Sequence, residues 1–218
     1  ETCHCTLMDG KPYAEDFFDI NLASYGERYF LEIATEEGEE LLELIKKVSP
    51  LDRADDTTRG RVQKNRAQVV EDLRAQNERY DYGPGYDRMR QVAREYWVES
   101  QDDCVGCGAC TNICPTCYCL ILNDESGDEN FIKVRSLDSC QLHGYAIMAG
   151  GDTPRPKMRD RFRNRYLCKF DYMKKNFAEY GCVGCGRCID ACPGEIDLRE
   201  VVAKILASPI KAAGVENE

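Results

Sequence analysis

The chain has 218 residues, a formal net charge of −10 and 14 cysteines. Its acidity argues against binding to nucleic acid or to an anionic membrane surface, both of which attract basic proteins. No apolar run is long enough to span a bilayer and no secretory signal is visible, so we expect a cytoplasmic protein with no membrane span.

The first fifty residues predict a β-hairpin followed by a helix. Apolar side chains alternate over residues 18–22 and again over residues 29–33, with a glycine turn between the two runs, which is typical of paired strands. Thr35 is a suitable N-cap for a helix whose first turn is acidic. We therefore assign residues 1–50 to an N-terminal segment.

The following segment, residues 51–101, predicts a helical connector. Residues 52–82 are highly charged and carry only a thin apolar stripe, which indicates a long solvated helix. Gly83-Pro84-Gly85 is expected to break it. A second helix is expected over residues 86–100, and its lone tryptophan, Trp97, is interpreted as a packing residue.

Residues 102–218 contain eight cysteines in two copies of one motif. The copies are Cys104-Val-Gly-Cys107-Gly-Ala-Cys110-Thr-Asn-Ile-Cys114-Pro115 and Cys182-Val-Gly-Cys185-Gly-Arg-Cys188-Ile-Asp-Ala-Cys192-Pro193. Both follow the spacing C-x2-C-x2-C-x3-C-P, and eight of their twelve positions are identical, which marks an internal repeat. This is the spacing of the bacterial-type iron–sulfur motif.

The motif predicts two [4Fe–4S] clusters with crossed ligation. Glycines between the cysteines allow left-handed turns that bring amide groups against the cluster. In two-cluster ferredoxins the fourth cysteine of each copy ligates the other cluster. The predicted ligand sets are Cys104, Cys107, Cys110 and Cys192 for the first cluster, and Cys182, Cys185, Cys188 and Cys114 for the second. Zinc, which is usually bound by paired cysteines, and disulfides are the alternatives.

Six cysteines lie outside the two motifs. They are Cys3, Cys5, Cys117, Cys119, Cys140 and Cys168. The first pair flanks His4 and is a candidate for a third iron–sulfur cluster, with buried core thiols as the alternative. The second pair favours a structural role beside the first cluster over direct ligation. The last two are expected to be core thiols.

Residues 115–181 separate the two motifs by far more than a compact two-cluster ferredoxin needs, so they predict a large insertion. Alternating apolar residues on both sides of a polar loop, over 118–122 and 131–134, indicate a hairpin. Aromatic residues and methionines at helical spacing over residues 157–180 indicate a helix. A closing helix is expected over residues 198–206.

The insertion contains a basic stretch in an otherwise acidic chain. Residues 154–175 include nine cations and two anions. A solvated helix face, a contact with an acidic partner protein and a position beside the anionic clusters are all open interpretations, whereas nucleic acid is disfavoured by the total charge. Cations near a cluster would favour its reduced state.

The chain shows no catalytic constellation of its own. His4 and His143 are the only histidines, and neither a dinucleotide-binding glycine motif nor a P-loop is present. We therefore predict a non-catalytic role, with no catalytic residue in this chain.

The arrangement of motifs resembles a known family. Beyond the cysteines, the resemblance depends on the start, Cys3-His4-Cys5-Thr6-Leu7-Met8, and on Ala149-Gly150-Gly151-Asp152-Thr153-Pro154-Arg155-Pro156 between the two motifs. In these segments the chain resembles the iron–sulfur β subunit of cytosolic nickel–iron hydrogenases (sulfhydrogenases). It also resembles the closely similar iron–sulfur A subunit of anaerobic sulfite reductases. Members of that family are generally longer and have an N-terminal segment with further cysteines.

The motifs and the resemblance together imply an α+β chain. It would combine a bacterial two-cluster ferredoxin-like domain, a large insertion of a hairpin and a basic helix, and a mainly helical N-terminal part. The resemblance implies an electron-transfer subunit that relays single electrons between a flavin subunit, which meets NAD(P)H, and a catalytic partner. A nickel–iron hydrogenase is the first candidate for that partner. A sulfite reductase, another multi-subunit redox enzyme, or a free-standing ferredoxin are the alternatives.

Overall fold

The structure is a computed structural model that describes residues 1–80, 85–127 and 129–210. Helices and two small antiparallel sheets together confirm the α+β class. Gly83 and Pro84 of the predicted break lie outside the described residues. Within the described residues, no helix is both long enough and apolar enough to cross a membrane.

The described residues pack as two compact units. One is Asp9–Glu78, and the other combines Glu1–Met8 with the described residues from Arg79 onward. The predicted division into segments 1–50, 51–101 and 102–218 was drawn from composition, and it stays a prediction. All eight motif cysteines belong to the second of these units.

The unit Asp9–Glu78 is built from a hairpin and two helices. These are β1 (Ile20–Tyr25), β2 (Arg28–Ile33), α1 (Glu36–Ile45) and α2 (Asp56–Asn77). The strands pair antiparallel around Gly26, whose φ of 60° suits the tight turn between them. The Thr35 side chain accepts a hydrogen bond from Gly38 N at 3.1 Å, so the predicted hairpin, N-cap and helix are confirmed.

The long charged helix is also confirmed. Asp55 caps α2 by accepting a hydrogen bond from Thr58 N at 2.7 Å, and only Val62 and Asn77 are buried along the helix. Arg66 forms a bidentate pair with Glu32 on β2. Hydrogen bonding from this guanidinium lowers the pKa of the Glu32 carboxyl.

The second unit contains the remaining elements. Its helices are α3 (Arg94–Glu99), α4 (Ala109–Asn112), α5 (Met158–Leu167), α6 (Met173–Phe177), α7 (Arg187–Asp190) and α8 (Leu198–Ala207); its strands are β3 (Leu120–Ser126) and β4 (Phe131–Leu137). Short 3₁₀ turns cover Cys5–Met8 and Tyr86–Gln91, and a third, Glu78–Tyr80, begins at the last residue of the other unit. The β3–β4 pair confirms the second hairpin, and α8 confirms the closing helix.

Two predicted helices are interrupted. The helix expected over residues 86–100 is a 3₁₀ turn followed by α3, because Val92 is extended and forms a β-bridge with Ile210. The helix expected over residues 157–180 consists of α5, a π-helical turn at Cys168–Tyr172, and α6. It ends at Ala178, which adopts a left-handed conformation with φ of 61°.

The core of this unit lies along α5 and α8. Trp97 packs against Tyr166 with ring centroids 5.7 Å apart, which confirms its packing role, and Tyr86 stacks on Phe170 at 5.0 Å. Val202 and Ile205 of α8 are fully buried in the same cluster, and the motif cysteines Cys104, Cys182 and Cys188 pack against its edge. The core therefore supports the cysteine motifs directly.

Candidate metal centre

The two cysteine motifs adopt the same backbone conformation. Gly106 and Gly184 have φ of 67° and 66°, and Gly108 and Gly186 have φ of 76° and 77°. Each second glycine directly precedes a four-residue helix, α4 or α7. Left-handed φ values are readily available only to glycine, so the sequence repeat corresponds to a structural repeat.

The first cavity collects one predicted ligand set. Its wall includes all four cysteines of that set: Cys104, Cys107, Cys110 and Cys192. Three come from the first motif and the fourth from the second motif. The cavity encloses about 510 Å³, part of it open to solvent, and is also lined by Phe162, Tyr166 and Leu198.

The second cavity collects the other predicted set. Its wall includes Cys114, Cys182, Cys185 and Cys188, and it encloses about 340 Å³, including open solvent. Here three cysteines come from the second motif and one from the first. Cys188, Arg165 and Leu198 line both cavities, so the two cavities are neighbours that share one layer of side chains.

The cysteines surround these cavities instead of converging on a point. Among the described residues, no group of three or more histidine, cysteine, aspartate or glutamate side chains is arranged to hold a single metal ion. A zinc ion would need four ligand atoms about 2.0–2.3 Å from one centre. In a four-iron cluster each thiolate binds a different iron, so the sulfurs lie further apart. The donor set therefore fits a cluster better than one zinc ion.

Buried cations face the cavities. The side chain of Arg165 on α5 lines both of them, and that of Lys169, on the π-helical turn, lines only the second. Arg165 is 6% exposed and Lys169 is 3% exposed. Among the described residues, neither forms an ion pair with a carboxylate, and Arg165 Nε has no hydrogen-bond partner. A buried cation needs a compensating anion, which thiolate-ligated clusters in these cavities would supply.

The thiols around these cations differ in their acidity. Burial raises the pKa of Cys104 and Cys110, and it raises the pKa of Cys182 to about 11. Hydrogen bonding from Cys117 lowers the pKa of Cys114, and Thr116 contributes in the same direction.

The N-terminal segment lies against the second motif. His4 N donates to the Gly184 carbonyl at 2.7 Å, and His4 Nε2 lies 3.9 Å from the Cys182 sulfur. The imidazole is buried and lines the second cavity, and this burial lowers its pKa. Neither sequence spacing nor composition signals this contact between residues 178 positions apart.

The six other cysteines stand apart from the cavity walls. The Cys3 and Cys5 sulfurs are 3.7 Å apart, but in the described part of the chain no three-ligand group includes them, and a third cluster stays a prediction. Cys119 accepts a hydrogen bond from the Tyr145 hydroxyl at 3.6 Å. Cys140 is buried, as expected of a core thiol, whereas Cys168 is half-buried.

Comparisons with known proteins agree with this chemistry. Residues 103–196, which include both motifs, match the family model of a 4Fe-4S dicluster domain. A stretch of 110 residues is 39% identical to sulfhydrogenase 2 subunit beta of Pyrococcus furiosus. The match covers 50% of this chain and 32% of that relative, so the chain spans about a third of the relative's length. No solved structure matches the chain significantly.

These matches confirm the predicted resemblance to an iron–sulfur β subunit of a sulfhydrogenase. The match of residues 103–196 to a 4Fe-4S dicluster domain also supports iron–sulfur clusters at the two motifs. The assignment of individual cysteines to individual clusters is a proposal, which the cavity geometry supports.

Gly184 and Gly106 offer a matched test of this arrangement. A Cβ at Gly184 would lie 2.5 Å from backbone atoms of Cys5, whereas one at Gly106 would meet only the flexible end of Met158. Each alanine variant places a residue with a Cβ in the left-handed backbone conformation, which destabilises the protein by about 1–2 kcal/mol. Gly184→Ala must also displace backbone, so we expect it to lose a further ~1–3 kcal/mol. Chemical unfolding of the two variants measures this difference.

The double variant Gly106→Ala/Met158→Ala is the control, because removing the methionine side chain relieves its overlap. We expect it to retain more iron than Gly184→Ala after identical reconstitution. Equal unfolding free energies for the two single variants would contradict the contact between the N-terminal segment and the second motif.

Proposed function

We propose that this chain is an electron-transfer subunit that carries two [4Fe–4S] clusters. The observation that carries the proposal is the pair of neighbouring cavities. The wall of each includes three cysteines of one motif and the fourth cysteine of the other, and Cys188 lines both. The first cluster would be held by Cys104, Cys107, Cys110 and Cys192. The second would be held by Cys182, Cys185, Cys188 and Cys114.

The clusters supply one-electron chemistry when bound, and the chain's own residues bind and shield them. Cysteine thiolates hold the irons, and the left-handed glycines let the backbone curve closely around each cavity. Phe162, Tyr166 and Leu198 restrict water at the first cavity. Cys188, Arg165 and Leu198 line both cavities, so the two clusters would be held as neighbours.

The partners are inferred from the similarity to sulfhydrogenase 2 subunit beta. We infer that electrons pass between a flavin-containing subunit that binds NAD(P)H and a catalytic redox subunit. A nickel–iron hydrogenase is the first candidate for that catalytic subunit. The same role in a sulfite reductase or another multi-subunit redox enzyme is the alternative. In this proposal residues 115–181 form an insertion in a ferredoxin-like domain, and the complex is cytoplasmic.

The assay of the native complex tests this function. We expect the chain, isolated anaerobically with its partners, to copurify with NAD(P)H-linked hydrogen uptake or evolution that depends on the clusters. If the chain copurifies instead with NAD(P)H-linked sulfite reduction and without hydrogenase activity, the catalytic partner is a sulfite reductase. Isolation of the chain alone, with full iron content and without any coupled activity, would instead indicate a free-standing ferredoxin and contradict the proposal.

A further inference from the structure

Two cations of the basic stretch are turned into the protein, toward the cavities. Arg165 and Lys169 lie four residues apart, at the end of α5 and in the π-helical turn that follows. This spacing places both on one side of the helical segment. Arg165 reaches the wall shared by the two cavities, whereas Lys169 reaches the second cavity alone.

A third buried cation on the same helix shows what an ordinary structural arginine does here. Arg161 donates to the carbonyl oxygens of Gln141 at 3.0 Å, Arg155 at 3.1 Å and Pro156 at 2.7 Å. Its charge is therefore compensated by backbone dipoles. Among the described residues, no comparable group of backbone carbonyls accepts hydrogen bonds from Arg165, and its Nε has no hydrogen-bond partner.

The cavity walls place these two cations beside predicted cluster ligands. Cys110 shares the first wall with Arg165, and Cys114 shares the second wall with Arg165 and Lys169. The Arg165 guanidinium also lies over the Tyr166 ring, 5.5 Å from its centroid. The Lys169 ammonium also donates to Thr116 Oγ1 at 2.7 Å. Each cation therefore lines a cavity together with predicted cluster ligands.

We propose that Arg165 is a positioning residue shared by both clusters, and that its fixed positive charge raises the reduction potential of each. Lys169 raises the reduction potential of the second cluster alone. The inference rests on the proposed function. Each cluster gains one electron on reduction and returns it on oxidation, and neither cation gains or loses a proton. A nearby cation stabilises the added negative charge, so it favours the reduced state.

A redox titration of the anaerobically purified chain, followed by electron paramagnetic resonance, tests the proposal. Dithionite is the reductant. We expect two one-electron steps, and Arg165→Gln should make reduction at least tenfold less favourable in both of them, which corresponds to about 59 mV per step. Lys169→Gln should shift only one step, and Arg165→Lys should restore most of the loss.

Lys157→Gln is the matched control, because it removes one exposed charge from the same basic stretch and should shift either step less than twofold. If Arg165→Gln binds less iron, Lys169→Gln and Arg165→Lys carry the test. The proposal would be overturned if variants with a full complement of clusters showed unchanged reduction steps, or if Lys169→Gln shifted both steps equally. Either result would leave the proposed function intact. Wild-type protein without two clusters would overturn the proposed function itself.

Discussion

Replacing Cys185 with serine is expected to interrupt electron relay through the complex. Cys185 lines only the second cavity, and a serine hydroxyl is a poor replacement for a thiolate iron ligand. Even changes next to metal ligands commonly cost 10–100-fold, so loss of a ligand should reduce NAD(P)H-linked turnover by more than about 100-fold. The measurement is coupled turnover of the isolated complex.

The same complex provides an internal control for this relay. Each partner's half-reaction with an artificial dye should stay within about twofold of wild type, because the dye bypasses the clusters. Cys168→Ser is the matched variant, since Cys168 lies outside both cavities and its loss should leave coupled turnover unchanged. Full coupled turnover in Cys185→Ser would show that electrons do not pass through the second cluster.

The cysteine motifs were predictable because their chemistry is local. Three cysteines within seven residues, separated by glycines, permit one backbone conformation around a cluster, and both copies adopt it. Hairpins and capped helices were predictable for the same reason. Gly26 and Thr35 act on their immediate neighbours, so a single sequence contains the whole signal.

The buried cations could not be assigned from the sequence. Nine cations in 22 residues leave a solvated face, an acidic partner and a position beside the clusters all open. In the structure six of the ten residues of α5 are buried, among them Arg161 and Arg165. The core and the cavities enclose this helix from several sides. Which cation turns inward therefore depends on packing between segments that are distant along the chain.

Two other features depend on equally distant contacts. The helix expected over residues 86–100 is interrupted at Val92, whose partner Ile210 lies more than a hundred residues away. The docking of His4 against Gly184 spans almost the whole chain. Local propensity contains no information about either contact, and tertiary structure decides both.

Crossed ligation is the second expectation with a large effect. If the fourth cysteine of each motif serves the other cluster, Cys192→Ser should damage the same cluster as Cys107→Ser, although these residues belong to different motifs. Cys114→Ser should likewise damage the same cluster as Cys185→Ser. The expectation follows from the cavity walls, which combine cysteines from both motifs.

Electron paramagnetic resonance of these four anaerobically prepared variants, with iron counted per chain, tests the central claim most directly. The wild type should hold about eight irons, and each variant should keep one intact cluster of about four. We predict that Cys192→Ser and Cys107→Ser leave one shared spectrum, and that Cys114→Ser and Cys185→Ser leave the other. Pairing of the spectra by motif, Cys107→Ser with Cys114→Ser, would contradict crossed ligation, and a wild type with far fewer irons would contradict the two-cluster account.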